Sequence, residues 1–139
     1  MNTNNPLLSQ SRKTEIDNSV LRILEKAQIK DSPVDLGKIA DCFGWHITTV
    51  AKARAAGMSI PADNEGFAIV RSNPSGYDYI IVYNENSSSD DIRNTIAHEI
   101  GHISLGHLLD NEPAADAETE ADYFAARLLN PLAAKSEKL

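Results

Sequence analysis

Three of the chain's four histidines fall within twelve residues, IAHEIGHISLGH at 96–107, and a glutamate directly follows the first of them. His98 and His102 are four positions apart. On an α-helix that spacing stacks the two side chains on one face, so both imidazoles can reach a single metal ion. Glu99 lies about 100° round the helix from His98. From there its carboxylate can take a proton from water held at the ion without being a ligand itself. The chemistry this suits is metal-assisted hydrolysis.

Catalytic zinc sites use three protein ligands and leave one position open. A third histidine in the HExxHxxGxxH pattern would need glycine at 105 and histidine at 108, where the chain has Leu105 and Leu108. The alternative is an acid on a later helix, and Glu118-Thr119-Glu120-Ala121-Asp122 offers candidates. Helical spacing permits Glu118 or Glu120. Glu118 and Asp122 share a strip. With Glu118 at the ion, Asp122, one turn on, can accept a hydrogen bond from the free ring nitrogen of a histidine ligand. Two histidines and a carboxylate favour Zn2+, with another divalent ion as the alternative. His107 follows the expected end of the histidine helix and reads either as a solvated loop residue or as part of the site's mouth. As a fourth protein donor, His107 or Glu120 would instead close the site into a structural one. His46, on an alternating segment, reads as a structural histidine.

These residues need elements to hold them. Thr14-Glu15-Ile16-Asp17 resembles a capping box and opens a first helix, with Ile16, Val20, Ile23, Leu24 and Ala27 on one side. Ser32 and Pro33 mark the start of a second, whose stripe is Leu36, Ile39, Ala40 and Phe43 and whose stop is Gly44. WHITTV at 45–50 reads as a strand. AKARAAG, directly after it, could form a helical turn. GFAIVRS and YDYIIVY flank Asn73-Pro74-Ser75-Gly76 and read as an antiparallel hairpin over roughly 66–72 and 77–83. Ser88 caps the histidine helix, and Asp90 and Asp91 suit its positive end.

The core side of that helix is Ile92, Ile96, Ile100 and Ile103, about 130° from the histidines. Gly101 costs it roughly 1 kcal/mol relative to alanine, which either simple tolerance or the close approach of another backbone near the ion would explain. Gly106 ends it. A last helix is expected from about Ala114 to Leu129, introduced by Pro113 and stopped by Pro131, with Ala117, Ala121, Phe124 and Leu128 inward. Residues 1–13 are expected to be frayed and 132–139 a tail, leaving one domain over 14–131.

Composition narrows the function classes. A formal charge of −7 disfavours direct binding of nucleic acid. No run of apolar residues is long enough to span a membrane, and the polar start lacks the apolar stretch of a secretory signal. The single cysteine, Cys42, permits no internal disulfide and reads as a small core residue. A soluble cytoplasmic protein is expected.

IAHEIGHISLGH followed by ETEADYFAARLLNP resembles the ImmA/IrrE metallopeptidase-like family, whose members read approximately AHELGHxxLxH and then ExEAxxFAxxLLxP. VDLGKIADCFGWHI and IIVYNENSSSDDIRNTIAHE resemble upstream parts of the same family, so the likeness covers roughly residues 33–131. Ile100 stands where leucine is commoner. The resemblance implies a minimal zincin-like α+β domain: a sheet of about three strands, a histidine helix, a C-terminal ligand helix and two helices before them. It implies that His98 and His102 are metal ligands, that Glu99 is the general base and, as in other gluzincin-like proteases, that Glu118 rather than Glu120 is the third ligand.

It also implies a narrow-specificity endopeptidase, encoded near mobile-element or phage repressors and cleaving a helix-turn-helix repressor to relieve repression. A peptide substrate would pair with an exposed hairpin edge. The alternatives are an anti-repressor that binds without cutting, its metal purely structural, and a toxin–antitoxin component. Some members carry further domains after LLxP; with the sequence running to Leu139, none is expected here. Any regulation is therefore expected through a partner or the chain's own termini.

Overall fold

The computed structural model describes residues 8–110 and 116–131. It contains five α-helices and one three-stranded sheet, a small α+β arrangement. Helix α1 spans Gln10–Lys26. The Oγ of Ser9 caps it by accepting from the Arg12 N–H at 3.0 Å. The expectation that the chain is frayed through Lys13 is therefore corrected for residues 10–13: a hydroxyl five residues ahead of Thr14 already satisfies an orphan N–H. Thr14, the expected cap, sits inside the helix and donates to the Gln10 carbonyl.

Helix α2 spans Leu36–Phe43. Its cap is the Asp35 carboxylate, which accepts from the Lys38 N–H at 2.9 Å, and not Ser32. An anionic acceptor at a helix N-terminus meets both the free N–H and the positive end of the dipole. Gly44 stops α2 in the left-handed region, as expected. Leu36, Ile39 and Ala40 face inward. Cys42 stands about 200° round from Ala40 and is exposed, which overturns its reading as a core residue.

Strand β1 spans His46–Thr49 and passes directly into helix α3, Val50–Ala55. The two long strands are β2, Gly66–Asn73, and β3, Gly76–Tyr83, joined by Pro74 and Ser75. They pair antiparallel in the expected hairpin, with Ala68 opposite Ile81. β1 adds to the other side of β3 in parallel, so β3 is central and β1 and β2 are edges among the described residues. Successive residues of β3 point to opposite faces. Ile81 enters the main core and Val82 a smaller one, with Val50 and Ala53 of α3, and both are fully buried.

Helix α4 spans Ser89–Ser104 and is capped by Ser88, as expected. A short 3-10 turn, His107–Leu109, follows. Helix α5 spans Ala117–Leu129; Pro113 and Ala114, expected to introduce it, lie outside the described residues, as do 1–7 and 132–139. Ile96, Ile100 and Ile103 of α4, Phe124 and Leu128 of α5, and Ile16, Val20 and Ile23 of α1 meet in the main core. The Asp17 carboxylate, buried on α1, accepts from the Tyr123 hydroxyl and Arg127 Nε of α5, both at 3.0 Å.

Gly101 is where α4 meets α5. A methyl group there would stand 3.1 Å from Cβ and Cδ1 of Phe124. The close neighbour is thus a side chain and not a backbone. Phe124 is fully buried, and its Cβ is fixed to the α5 backbone, so it has no room to retreat. Gly101→Ala should destabilise the fold by roughly 1–2 kcal/mol in urea unfolding, overpacking outweighing the helix-propensity gain.

Candidate metal centre

Burial of the isoleucine stripe of α4 turns His98 and His102 towards α5. Their Nε2 atoms lie 3.0 Å apart. The Glu118 carboxylate, in the first turn of α5, meets both: Oε1 is 3.1 Å from His98 Nε2 and Oε2 is 2.8 Å from His102 Nε2. Two ligand atoms at 2.0–2.1 Å from a tetrahedral zinc are roughly 3.3 Å apart. The pairwise contacts are close to that spacing, Glu118 meets the two rings with different oxygens, and one ligand atom from each of the three residues lies within 4.8 Å of the other two; among the described residues no other histidine, cysteine or acid joins them.

Asp122 lies where the i, i+4 strip places it, its Oδ1 2.8 Å from His98 Nδ1. A carboxylate there makes Nδ1 the N–H donor and leaves Nε2 as a lone pair facing the centre. Glu118 and Asp122 are exposed while Glu99 and His102 are buried, so the centre sits at the wall of the protein with one side open. A cleft of about 510 Å³ opens there, lined by Glu65, Gly66, Thr95, Glu99, Glu118 and Asp122 among others. A separate cavity of about 370 Å³ near Leu24, Ile29 and Pro131 holds no such donor cluster.

Burial pushes the Glu99 carboxyl above the usual glutamate range, with further upward pressure from Glu118, against His98 and the Ala68 backbone, which donates to it. Burial likewise pushes the His102 imidazole down, favouring the neutral ring a metal needs. Gly66 brings β2 to this wall: a side chain there would collide with Thr95 of α4 and the Val82 carbonyl. No local feature of β2 marks the approach of the Ala68 backbone to Glu99.

The remaining candidates lie elsewhere. Glu120 is not beside the histidine pair's Nε2 atoms. Its carboxylate is buried and takes two bonds from Arg12, at 2.8 Å each, and one contact from His107 Nε2 at 2.9 Å. The Arg12 hydrogen bonds hold it below the usual carboxylate range. His107 is buried, not solvated, and its Nδ1 stands 2.9 Å from His102 Nδ1, on the side of that ring turned away from the centre. Neither is placed as a fourth donor. His46 is exposed on β1, apart from the cluster.

A family model described as Peptidase_M78, the IrrE N-terminal-like domain, matches residues 57–137, more than half of the chain. The chain belongs to this family. The match takes in β2, β3, α4 and α5, the elements that build the centre, and leaves α1 and α2 outside. The IrrE-like family is one of metallopeptidases, which agrees with the donor set found here. No curated protein matches the chain. Among the described residues no helix is long and apolar enough to cross a membrane.

Asp122→Asn should lower Zn2+ affinity by about tenfold in chelator competition. The effect sits at the small end of the usual range because Asp122 is exposed and water can replace part of its role. Unchanged affinity would show that Asp122 does not orient His98.

Proposed function

We propose that this IrrE-like chain is a zinc-dependent endopeptidase of narrow specificity that cuts a helix-turn-helix transcriptional repressor. The observation that carries the reading is the convergence of His98, His102 and Glu118 on one point, with Glu99 buried beside it in an open cleft. A closed structural site needs a fourth protein donor, and His107 and Glu120, the nearest candidates, are engaged with His102 and Arg12 instead. A divalent ion held there would acidify water and polarise the scissile carbonyl. His98, His102 and Glu118 would hold the ion, and Asp122 would keep His98 aimed at it.

Glu99 would take a proton from the attacking water and pass it to the leaving amine; a carboxyl raised above its ordinary range suits both steps. β2 is a sheet edge whose first residue lines the cleft, so an extended peptide could pair along it. That geometry favours an unfolded or loop segment of a protein substrate over a folded surface. The choice of a repressor rests on the family resemblance of the two C-terminal motifs.

The test is co-expression with a candidate helix-turn-helix repressor from the same genome. Wild type should yield two repressor fragments. Glu99→Gln should yield none while still binding zinc, a fall in cleavage of about 10²–10⁴-fold for loss of the general base. If Glu99→Gln relieves repression as fully as wild type, the chain acts by binding and the peptidase reading is wrong.

A further inference from the structure

Behind His102 lies a chain of polar groups, buried at His107 and Glu120 and partly exposed at Arg12, that the proposed reaction does not use. It runs from His102 through His107 and Glu120 to Arg12, from α4 through the 3-10 turn and α5 to α1. We propose that Arg12, Glu120 and His107 form a relay that fixes the tautomer and ring orientation of His102, so that α1, outside the family-matched residues, helps to set the metal affinity of the site. The inference rests on the reading of His98, His102 and Glu118 as a metal centre.

The proton positions follow from the contacts. His107 Nε2 is 2.9 Å from Glu120 Oε1, and a carboxylate has only lone pairs to offer, so Nε2 carries the hydrogen. A ring with that one hydrogen has a bare Nδ1. That atom stands 2.9 Å from His102 Nδ1, and a bond between two ring nitrogens needs one N–H and one lone pair. The hydrogen is therefore on His102 Nδ1. The bare nitrogen of His102 is Nε2, the atom that faces His98 and Glu118.

Arg12 anchors the far end. Its Nε and one terminal nitrogen donate to the two oxygens of Glu120, each at 2.8 Å, a planar fork that fixes the carboxylate plane. His107 and Glu120 are both 6% exposed, so water has little access to compete for these bonds or to let either ring turn. The two histidines of the centre are thus oriented by different means: His98 by an exposed carboxylate in one step, His102 by a chain of three groups of which two are buried and the last, Arg12, is partly exposed. A relay of this kind explains why an arginine 108 positions from Glu120 reaches it with a two-pronged bond, which docking of α1 alone does not require.

The experiment uses the full chain and Zn2+ alone. In the zinc-loaded wild type, long-range proton–nitrogen NMR should place the hydrogens on His107 Nε2 and His102 Nδ1. Chelator competition should show Zn2+ affinity reduced about 10- to 100-fold in Arg12→Gln and in Glu120→Gln, the usual effect of losing a group behind a ligand. Asp17→Asn, which weakens α1–α5 docking away from the relay, should leave the affinity unchanged. A wild type that takes up no zinc overturns the metal-centre reading and the relay with it. A wild type that binds zinc with the hydrogen on His107 Nδ1, or folded Arg12 and Glu120 variants that bind as tightly as wild type, overturns the relay alone. Where a variant does not fold, the wild-type proton positions decide.

Discussion

The approach of α4 to α5 at Gly101 and Phe124 is the constraint on which the site depends. His98 and His102 come from one helix and are paired by its pitch alone, but Glu118 belongs to another helix. It reaches them because the helix axes can come close where one side lacks a side chain and the other presents a fixed aromatic ring. The same apolar contact that stabilises the core therefore places the third donor. It also explains the division of α4 into two functional faces: isoleucines against α1, α5 and the sheet, and imidazoles towards the cleft.

Burial then sets the chemistry. Moving Glu99 and His102 away from water favours the neutral form of each, opposite directions on the pH scale with one cause. Glu118 stays exposed at the wall. Two imidazole nitrogens and a carboxylate, each within about 3 Å of the next, make a poor resting arrangement for the protein by itself and a good one around a cation. The polar groups behind the histidines, Asp122 on one side and His107 with Glu120 on the other, hold that arrangement in register. The sheet contributes its edge strand, held against α4 by the missing side chain at Gly66.

Much of this was legible locally. Helix pitch paired His98 with His102 and Glu118 with Asp122, Ser88 marked the start of α4, and alternation with a proline turn marked the hairpin. Signals confined to one element survive folding because they depend on short-range geometry. Competing local signals were harder: Ser32 and Asp35 both make good caps, and the charged one won. Ser9 lies in a polar segment whose composition matches a frayed end, so its capping role is hidden from local pattern. Long-range pairing left no local mark. Nothing near Arg12 points to Glu120, and nothing in β1 says that it will run parallel to β3. His107 belonged to the motif but sat after the helix, where a solvated loop was the ordinary expectation. Its burial depends on α5, and so on contacts absent from the segment itself.

The central claim is that one cation is held by two imidazoles and one carboxylate with a position left for solvent. Anomalous diffraction at the zinc edge, on crystals of the zinc-loaded full chain, tests it most directly. The account predicts one zinc at about 2.0–2.2 Å from His98 Nε2, His102 Nε2 and a Glu118 oxygen, its remaining coordination filled by a non-protein ligand. Zinc bound with His107 or Glu120 as a fourth protein ligand, or held elsewhere with Glu118 turned away, would contradict it.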